Sequence, residues 1–126
     1  MTMRNRNLLV SFRCAFSGLW YVLTTQRNAR IHLIIAAGVV ALGIWLGLTP
    51  IEWAVIVLAI GVVLAAEMLN TVAETLVDLI SPGFHPLAGI IKDTTAGAVL
   101  LASITSAIVG LLILGPPLWQ RLFGPR

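Results

Sequence analysis

The chain has 126 residues, of which 59% are hydrophobic and 10% charged, with a formal net charge of +3. Ordinary soluble domains carry about 45–50% apolar and about 25% charged residues. The composition therefore excludes a disordered chain, a soluble enzyme and a nucleic-acid-binding module, and leaves an all-α integral membrane protein with no nucleic-acid partner. A single cysteine, Cys14, excludes an internal disulfide.

Residues 1–30 hold five of the basic side chains, Arg4, Arg6, Arg13, Arg27 and Arg30. Within this segment Leu8, Phe12, Phe16, Leu19, Trp20 and Leu23 recur at spacings of three and four, which puts them on one helical face. Arg13, Ser17 and Thr24 fall elsewhere. The pattern predicts an amphipathic helix lying in the membrane interface; the alternative is a helix packed on the bundle. A bilayer core needs roughly 20 helical residues, and three stretches meet that length: about 31–48, about 51–80 and about 94–119. Each is expected to be a helix, because lipid offers no partner for open backbone groups. Thr49-Pro50 reads as N-cap and first helical residue of the second span, so the first two spans are joined by a few residues and run antiparallel. Ser81-Pro82-Gly83 stops the second span. Residues 81–92 are predicted as a polar loop, and Gly115-Pro116-Pro117 as the fraying end of the third span. The basic N-terminal segment and the loop ending at Lys92 lie on one side, which the positive-inside rule makes cytoplasmic. Arg121 and Arg126 at the other end conflict with that rule.

Four of the polar side chains fall on one face of the second span over three turns: Glu67, Asn70, Glu74 and Asp78, with Thr71 at the border. An acid at mid-helix costs about 2.5–3.5 kcal/mol on insertion scales, so this stripe must meet partners, water or a metal. The bland account is an interhelical network that holds an oligomer together. The functional account makes Glu67, deepest in the apolar run, a general base, and Glu74, nearer the cytoplasm, a ligand for a hard cation such as Mg²⁺. Glu52 reads as a solvated flank. Lys92-Asp93, expected at the start of the third span, offers helix amides and a point charge to a phosphate; a lysine flank with an aspartate cap is the plain alternative. No Gly-rich phosphate loop, HExxH or CxxC is present.

Glu67-Met-Leu-Asn70-Thr71-x-x-Glu74-x-x-x-Asp78, then His85-Pro-Leu-Ala and Lys92-Asp93-x-x-Ala96-x-Ala98-Val99-Leu100, closely resembles the prokaryotic diacylglycerol kinase family of small membrane lipid kinases. Ser11-Phe12-Arg13-x-Ala15-Phe16-x-Gly18 and Arg27-Asn28-x-Arg30-Ile31-His32 extend the resemblance over about residues 8–115. The Arg-Asn-x-Arg-Ile-His run and the His-Pro-Leu-Ala loop look more like the undecaprenol kinase branch, with the diacylglycerol branch as the close alternative.

The resemblance implies one domain over residues 1–126, with three transmembrane helices and one surface helix per protomer. It implies a homotrimer in the bacterial inner membrane, with the N-terminus and active sites on the cytoplasmic side. It further implies ATP with Mg²⁺ as co-substrate and a polyprenol or diacylglycerol acceptor. Carried over, Glu67 takes the proton of the lipid hydroxyl and Asn70 orients the reacting groups. Glu74 binds the metal, and Asp78, Gly83, Phe84, His85, Lys92 and Asp93 contact the nucleotide. One position departs from the pattern. Where the family normally has a metal-binding glutamate, this chain has Gln26. An amide oxygen can coordinate but brings no charge, so Gln26 is compatible with altered metal use, a non-catalytic homologue or an introduced Glu→Gln change. A small transporter subunit is a further reading of intramembrane acids, but it leaves Lys92-Asp93 without a role.

Overall fold

The computed structural model describes residues 7–125, so Arg4, Arg6 and Arg126 lie outside the described residues. Four helices make up the fold: α1 (Leu8–Thr25), α2 (Arg27–Leu46), α3 (Pro50–Ile80) and α4 (Pro86–Phe123). Among the described residues there is no strand. All four helices are long and apolar enough to cross a membrane. Length and composition alone therefore do not separate a surface helix from three spans, although α1 is the least apolar of the four and carries Arg13 within it.

Helix boundaries follow local chemistry. At the end of α1 the hydroxyls of Thr24 and Thr25 donate to carbonyls of the preceding turn, and Arg30 Nη1 donates to the Thr24 carbonyl at 3.3 Å. Gln26, extended at φ −98° and ψ 116°, breaks the chain between α1 and α2. α2 thus begins at Arg27, ahead of the apolar stretch expected from 31. It ends at Gly47 in the left-handed region, φ 73°. The Gly47 and Leu48 amides bond back to Ile44 and Gly43 carbonyls, a closure that only glycine makes without strain. Thr49 then caps α3. Its hydroxyl accepts from the Glu52 amide while the Glu52 carboxylate accepts from the Thr49 amide at 2.7 Å. Glu52 is therefore half of a capping box rather than only a solvated flank.

α4 departs most from expectation. It starts at Pro86, ahead of 94, because His85 acts as N-cap: its Nδ1 accepts from the Leu87 amide at 3.2 Å. Proline suits the first helical position, where its missing N–H has no helical partner anyway. At the far end the helix does not fray at Gly115-Pro116-Pro117 but runs through both prolines to Phe123. Lys92 and Arg121 are separated along α4 by about 43 Å at 1.5 Å per residue, close to the full bilayer thickness of about 40–45 Å. Arg121 is engaged rather than loose. Its Nη2 donates to the Trp45 carbonyl at 2.9 Å, and its guanidinium lies 5.2 Å from the Trp45 ring centroid. This tie between the ends of α2 and α4 gives a physical reason for a basic residue at the end where the positive-inside rule expects few.

α3 and α4 form the main pair, α2 packs against both, and α1 touches α2 and α3. Helices in lipid associate through close packing of small residues and through interhelical hydrogen bonds. The buried residues of α2 are Ala29, Ala36 and Gly43, at a spacing of seven. On α3, Ile56, Val63 and Val77 follow the same heptad, and the half-buried Asn70 fills its remaining position. Ser106 on α4 donates to the Ala59 carbonyl of α3 at 3.1 Å. The heptad brings Asn70 of the polar stripe toward the bundle, while Asp78 stays exposed.

Candidate active site

Glu67 and Thr71 are the buried polar residues of the described chain, 2% and 4% exposed. Both lie on the seam face of α3. The Thr71 hydroxyl donates to the Glu67 carbonyl and the Thr75 hydroxyl to the Thr71 carbonyl, so these hydroxyls are satisfied within their own helix. The Glu67 carboxylate is not. Its Oε1 lies 3.3 Å from His32 Nε2 on α2, but the contact is not an aligned hydrogen bond and Oε1 has no donor within the chain. A buried acceptor left in that state costs about 1–3 kcal/mol. One turn on, Asn70 Nδ2 donates to Glu74 Oε1 at 3.1 Å, while Asn70 Oδ1 is buried without a partner.

The stripe ends at Asp78, whose Oδ1 accepts from Lys92 Nζ of α4 at 2.6 Å. This ion pair is 67% exposed on the aspartate side and 40% on the lysine side. It borders a cleft of about 450 Å³ between the end of α3, the connecting loop and the first turns of α4. Asp78, Gly83, Phe84, His85, Lys92 and Asp93 all line that cleft, so six of the residues singled out from sequence are brought together. The amides of Lys92 and Asp93 were expected at a helix start, but α4 starts at Pro86, so they lie inside the helix and Lys92 can act only through its side chain. His85 is a cap as well as a cleft residue.

Gln26 is not joined to the stripe. It sits at the α1–α2 break, its Nε2 donating to Thr25 Oγ1 at 3.3 Å, and among the described residues no hydrogen bond links it to Glu74. Among those residues there is also no group of three His, Cys, Asp or Glu side chains able to hold a metal. Mg²⁺ accompanying a nucleotide commonly takes one or two carboxylates, with phosphates and water completing the shell. Glu74, with one oxygen bonded to Asn70, has a second oxygen of the chemistry that such an ion accepts. His32, to which the sequence assigns no role, is brought beside Glu67; its signal is an ionisable side chain inside an otherwise uncharged apolar run.

Residues 13–114 match the family described as prokaryotic diacylglycerol kinase. A diacylglycerol kinase of Synechocystis is 48% identical over 113 residues, 89% of this chain but 65% of that relative, so the chain spans just under two thirds of its length. An undecaprenol kinase of Bacillus subtilis is 44% identical over 108 residues, 86% of this chain and 88% of the relative. A diacylglycerol kinase of Haemophilus influenzae is 30% identical over 103 residues, 82% and 87% of the two chains. The matched region contains the buried carboxylate, the amide–carboxylate pair and the ion-paired cleft, on helices suited to a membrane. The chain belongs to the prokaryotic diacylglycerol kinase family, a family of membrane lipid kinases.

Proposed function

We propose that this chain transfers the γ-phosphoryl group of ATP to the hydroxyl of a membrane lipid, with undecaprenol as the acceptor. The observation that carries this reading is Glu67: a carboxylate 2% exposed, set among apolar helices, whose side chain accepts no aligned hydrogen bond among the described residues and has two oxygens to offer. A lipid hydroxyl is a donor that can reach that depth. Glu67 accepts its proton as the hydroxyl oxygen bonds to the γ-phosphorus. The bond from the γ-phosphorus to the β,γ-bridging oxygen breaks, and ADP leaves with that oxygen. Asn70, through its bond to Glu74, orients the carboxylate beside the reacting groups. Mg²⁺ carried by the nucleotide would be held by Glu74, with Gln26 as a neutral ligand at best, and would neutralise phosphate charge. Asp78, Gly83, Phe84, His85, Lys92 and Asp93 line the cleft and would hold the nucleotide by contact and charge. Catalysis then rests on positioning and electrostatics, as phosphoryl transfer generally does.

The undecaprenol reading is supported by the relative that this chain matches over 88% of its length. The diacylglycerol reading is supported by the 48% identical relative. Both acceptors present a primary hydroxyl, so the same base serves either. Further parts of the reading are a homotrimer, the cytoplasmic side of a bacterial inner membrane for the N-terminus and cleft, and α1 as a surface helix. The unpartnered Asn70 Oδ1 supports a neighbouring protomer that completes the site. The apolar face of α1 left open by its own chain, with Phe12, Phe16 and Trp20 exposed, supports contact with lipid. The test is transfer of labelled phosphate from ATP in lipid vesicles, with undecaprenol and diacylglycerol offered separately. Labelled polyprenyl phosphate is the expected product, and labelled phosphatidate moves the assignment to the diacylglycerol branch. Nucleotide binding with no product from either lipid identifies a non-catalytic homologue.

A further inference from the structure

We infer that His32 is the positioning residue of the catalytic base, an inference that rests on the kinase reading of Glu67. After Arg30, α2 continues to Leu46 with His32 as its one ionisable side chain, and polar groups at such depth require a partner. The imidazole is half-buried, and its Nε2 lies 3.3 Å from Glu67 Oε1. On its other side it lines a cavity of about 400 Å³ between α2, α3 and α4, walled by apolar side chains such as Ile35, Ile60 and Leu111. The polar side chains sharing that cavity are Ser103 and Ser106, and their hydroxyls donate to the Val99 and Ala59 carbonyls. Glu67 is thus the acceptor at hand for an Nε2–H.

The contact is close but not aligned, and Oε1 has no donor. Catalytic hydrogen bonds are often long in the free enzyme and tighten when substrate is bound. A small rotation of the imidazole closes this one. It fixes the carboxylate plane and leaves Oε2 for the hydroxyl proton, so one oxygen is held while the other reacts. This is the general pattern of a base oriented by a third group. His32 touches neither substrate nor nucleotide in this scheme; it acts through Glu67.

The test uses the full-length protein in lipid vesicles with each acceptor lipid. His32→Phe, which fills the space without a donor, is expected to lower kcat about 10–100-fold, the usual loss when a supporting hydrogen bond is removed. KM for ATP and for lipid should stay within about twofold. His32→Gln, whose amide N–H can reach the same oxygen, should recover most of the loss. In a Glu67→Gln background, His32→Phe should add nothing. A histidine that only ties α2 to α3 would lower the unfolding temperature and leave kcat alone. That outcome overturns the inference, as does a His32→Gln protein no faster than His32→Phe. A second readout does not need turnover. In ¹⁵N-histidine-labelled protein the His32 resonance, identified by its loss in His32→Gln, should report an Nε2–H tautomer and should shift in Glu67→Gln. An unmoved resonance overturns the pairing. If the unaltered protein phosphorylates neither lipid, the kinase reading falls and the resonance alone decides whether His32 holds Glu67.

Discussion

Replacing Glu67 with glutamine separates catalysis from architecture. The change is nearly isosteric and removes the charge of a side chain that is 2% exposed and whose Oε1 has no donor. If Glu67 is the general base, turnover should fall by about 10²–10⁴, or about 2.7–5.4 kcal/mol of barrier at 1.36 kcal/mol per decade. Nucleotide binding should be spared. At 1.5 Å rise per residue, Glu67 lies about 10 Å along α3 from Glu74 and about 16 Å from Asp78, beyond direct contact with the cleft. Stability should hold or rise, because the cost of an acid at depth, about 2.5–3.5 kcal/mol on insertion scales, is relieved. The assay pairs labelled-phosphate transfer with thermal unfolding in the presence and absence of ATP. The glue account of the stripe makes the opposite forecast, a less stable protein. Turnover within tenfold of the original, or a tenfold rise in KM for ATP, would refute the base assignment.

Three other perturbations probe the rest of the molecule. Gln26→Glu should raise turnover and lower the Mg²⁺ concentration needed for half-maximal rate, as a carboxylate restores charge to a hard-cation shell; no gain over the existing chain argues against a metal role for this position. Gly43→Ile should destabilise by about 1–3 kcal/mol through overpacking, since a Cβ at Gly43 would meet the Trp53 ring at 2.8 Å and Leu48 at 2.9 Å; a chemical-denaturation midpoint in detergent checks it, and an unchanged midpoint would mean that α2 and α3 can separate there freely. Arg121→Met should cost about 1 kcal/mol by removing the cation–π contact with Trp45, read as a lower unfolding temperature with phosphate transfer unchanged.

The parts of the fold legible in sequence were those governed by strong local chemistry. Thr49-Pro50 announced the start of α3, and the Ser81-Pro82-Gly83 breaker its end. The polar stripe was visible because four polar residues at helical spacing stand out against an apolar background. The start of α4 was missed because Lys92-Asp93 drew the helix boundary toward itself, while the real signal was His85 followed by proline at the first helical position. The prolines at 116 and 117 misled in the other direction. Proline commonly ends helices in water, yet in membrane helices neighbouring helices, hydroxyl side chains or ordered water can re-satisfy the freed carbonyls. The seven-residue spacing of Ala29, Ala36 and Gly43 lay open in the sequence but is silent until a partner helix is known. His32 was hidden differently. Its neighbour is 35 positions away on another helix, and only the packing of α2 on α3 brings it to Glu67.

The arrangement along α3 answers a problem peculiar to this chemistry. A nucleotide triphosphate cannot enter a bilayer, and a lipid hydroxyl cannot travel far out of one, so the reaction must occur where the two phases meet. On the proposed function, the stripe is graded for that meeting. Its shallow end is Asp78, paired with Lys92 at an exposed cleft. Exposed ion pairs contribute little to folding, which leaves this one free for the nucleotide contact proposed above. Its deep end is Glu67, shut away among apolar helices with an imidazole as its near neighbour. Glu74 and Asn70 lie between, hydrogen-bonded to each other and half-buried. A single helix face thus runs from an exposed, ion-paired end to a buried carboxylate within three turns. The order of residues on that face matches the order in which a nucleotide entering from water and a lipid entering from the bilayer would be met.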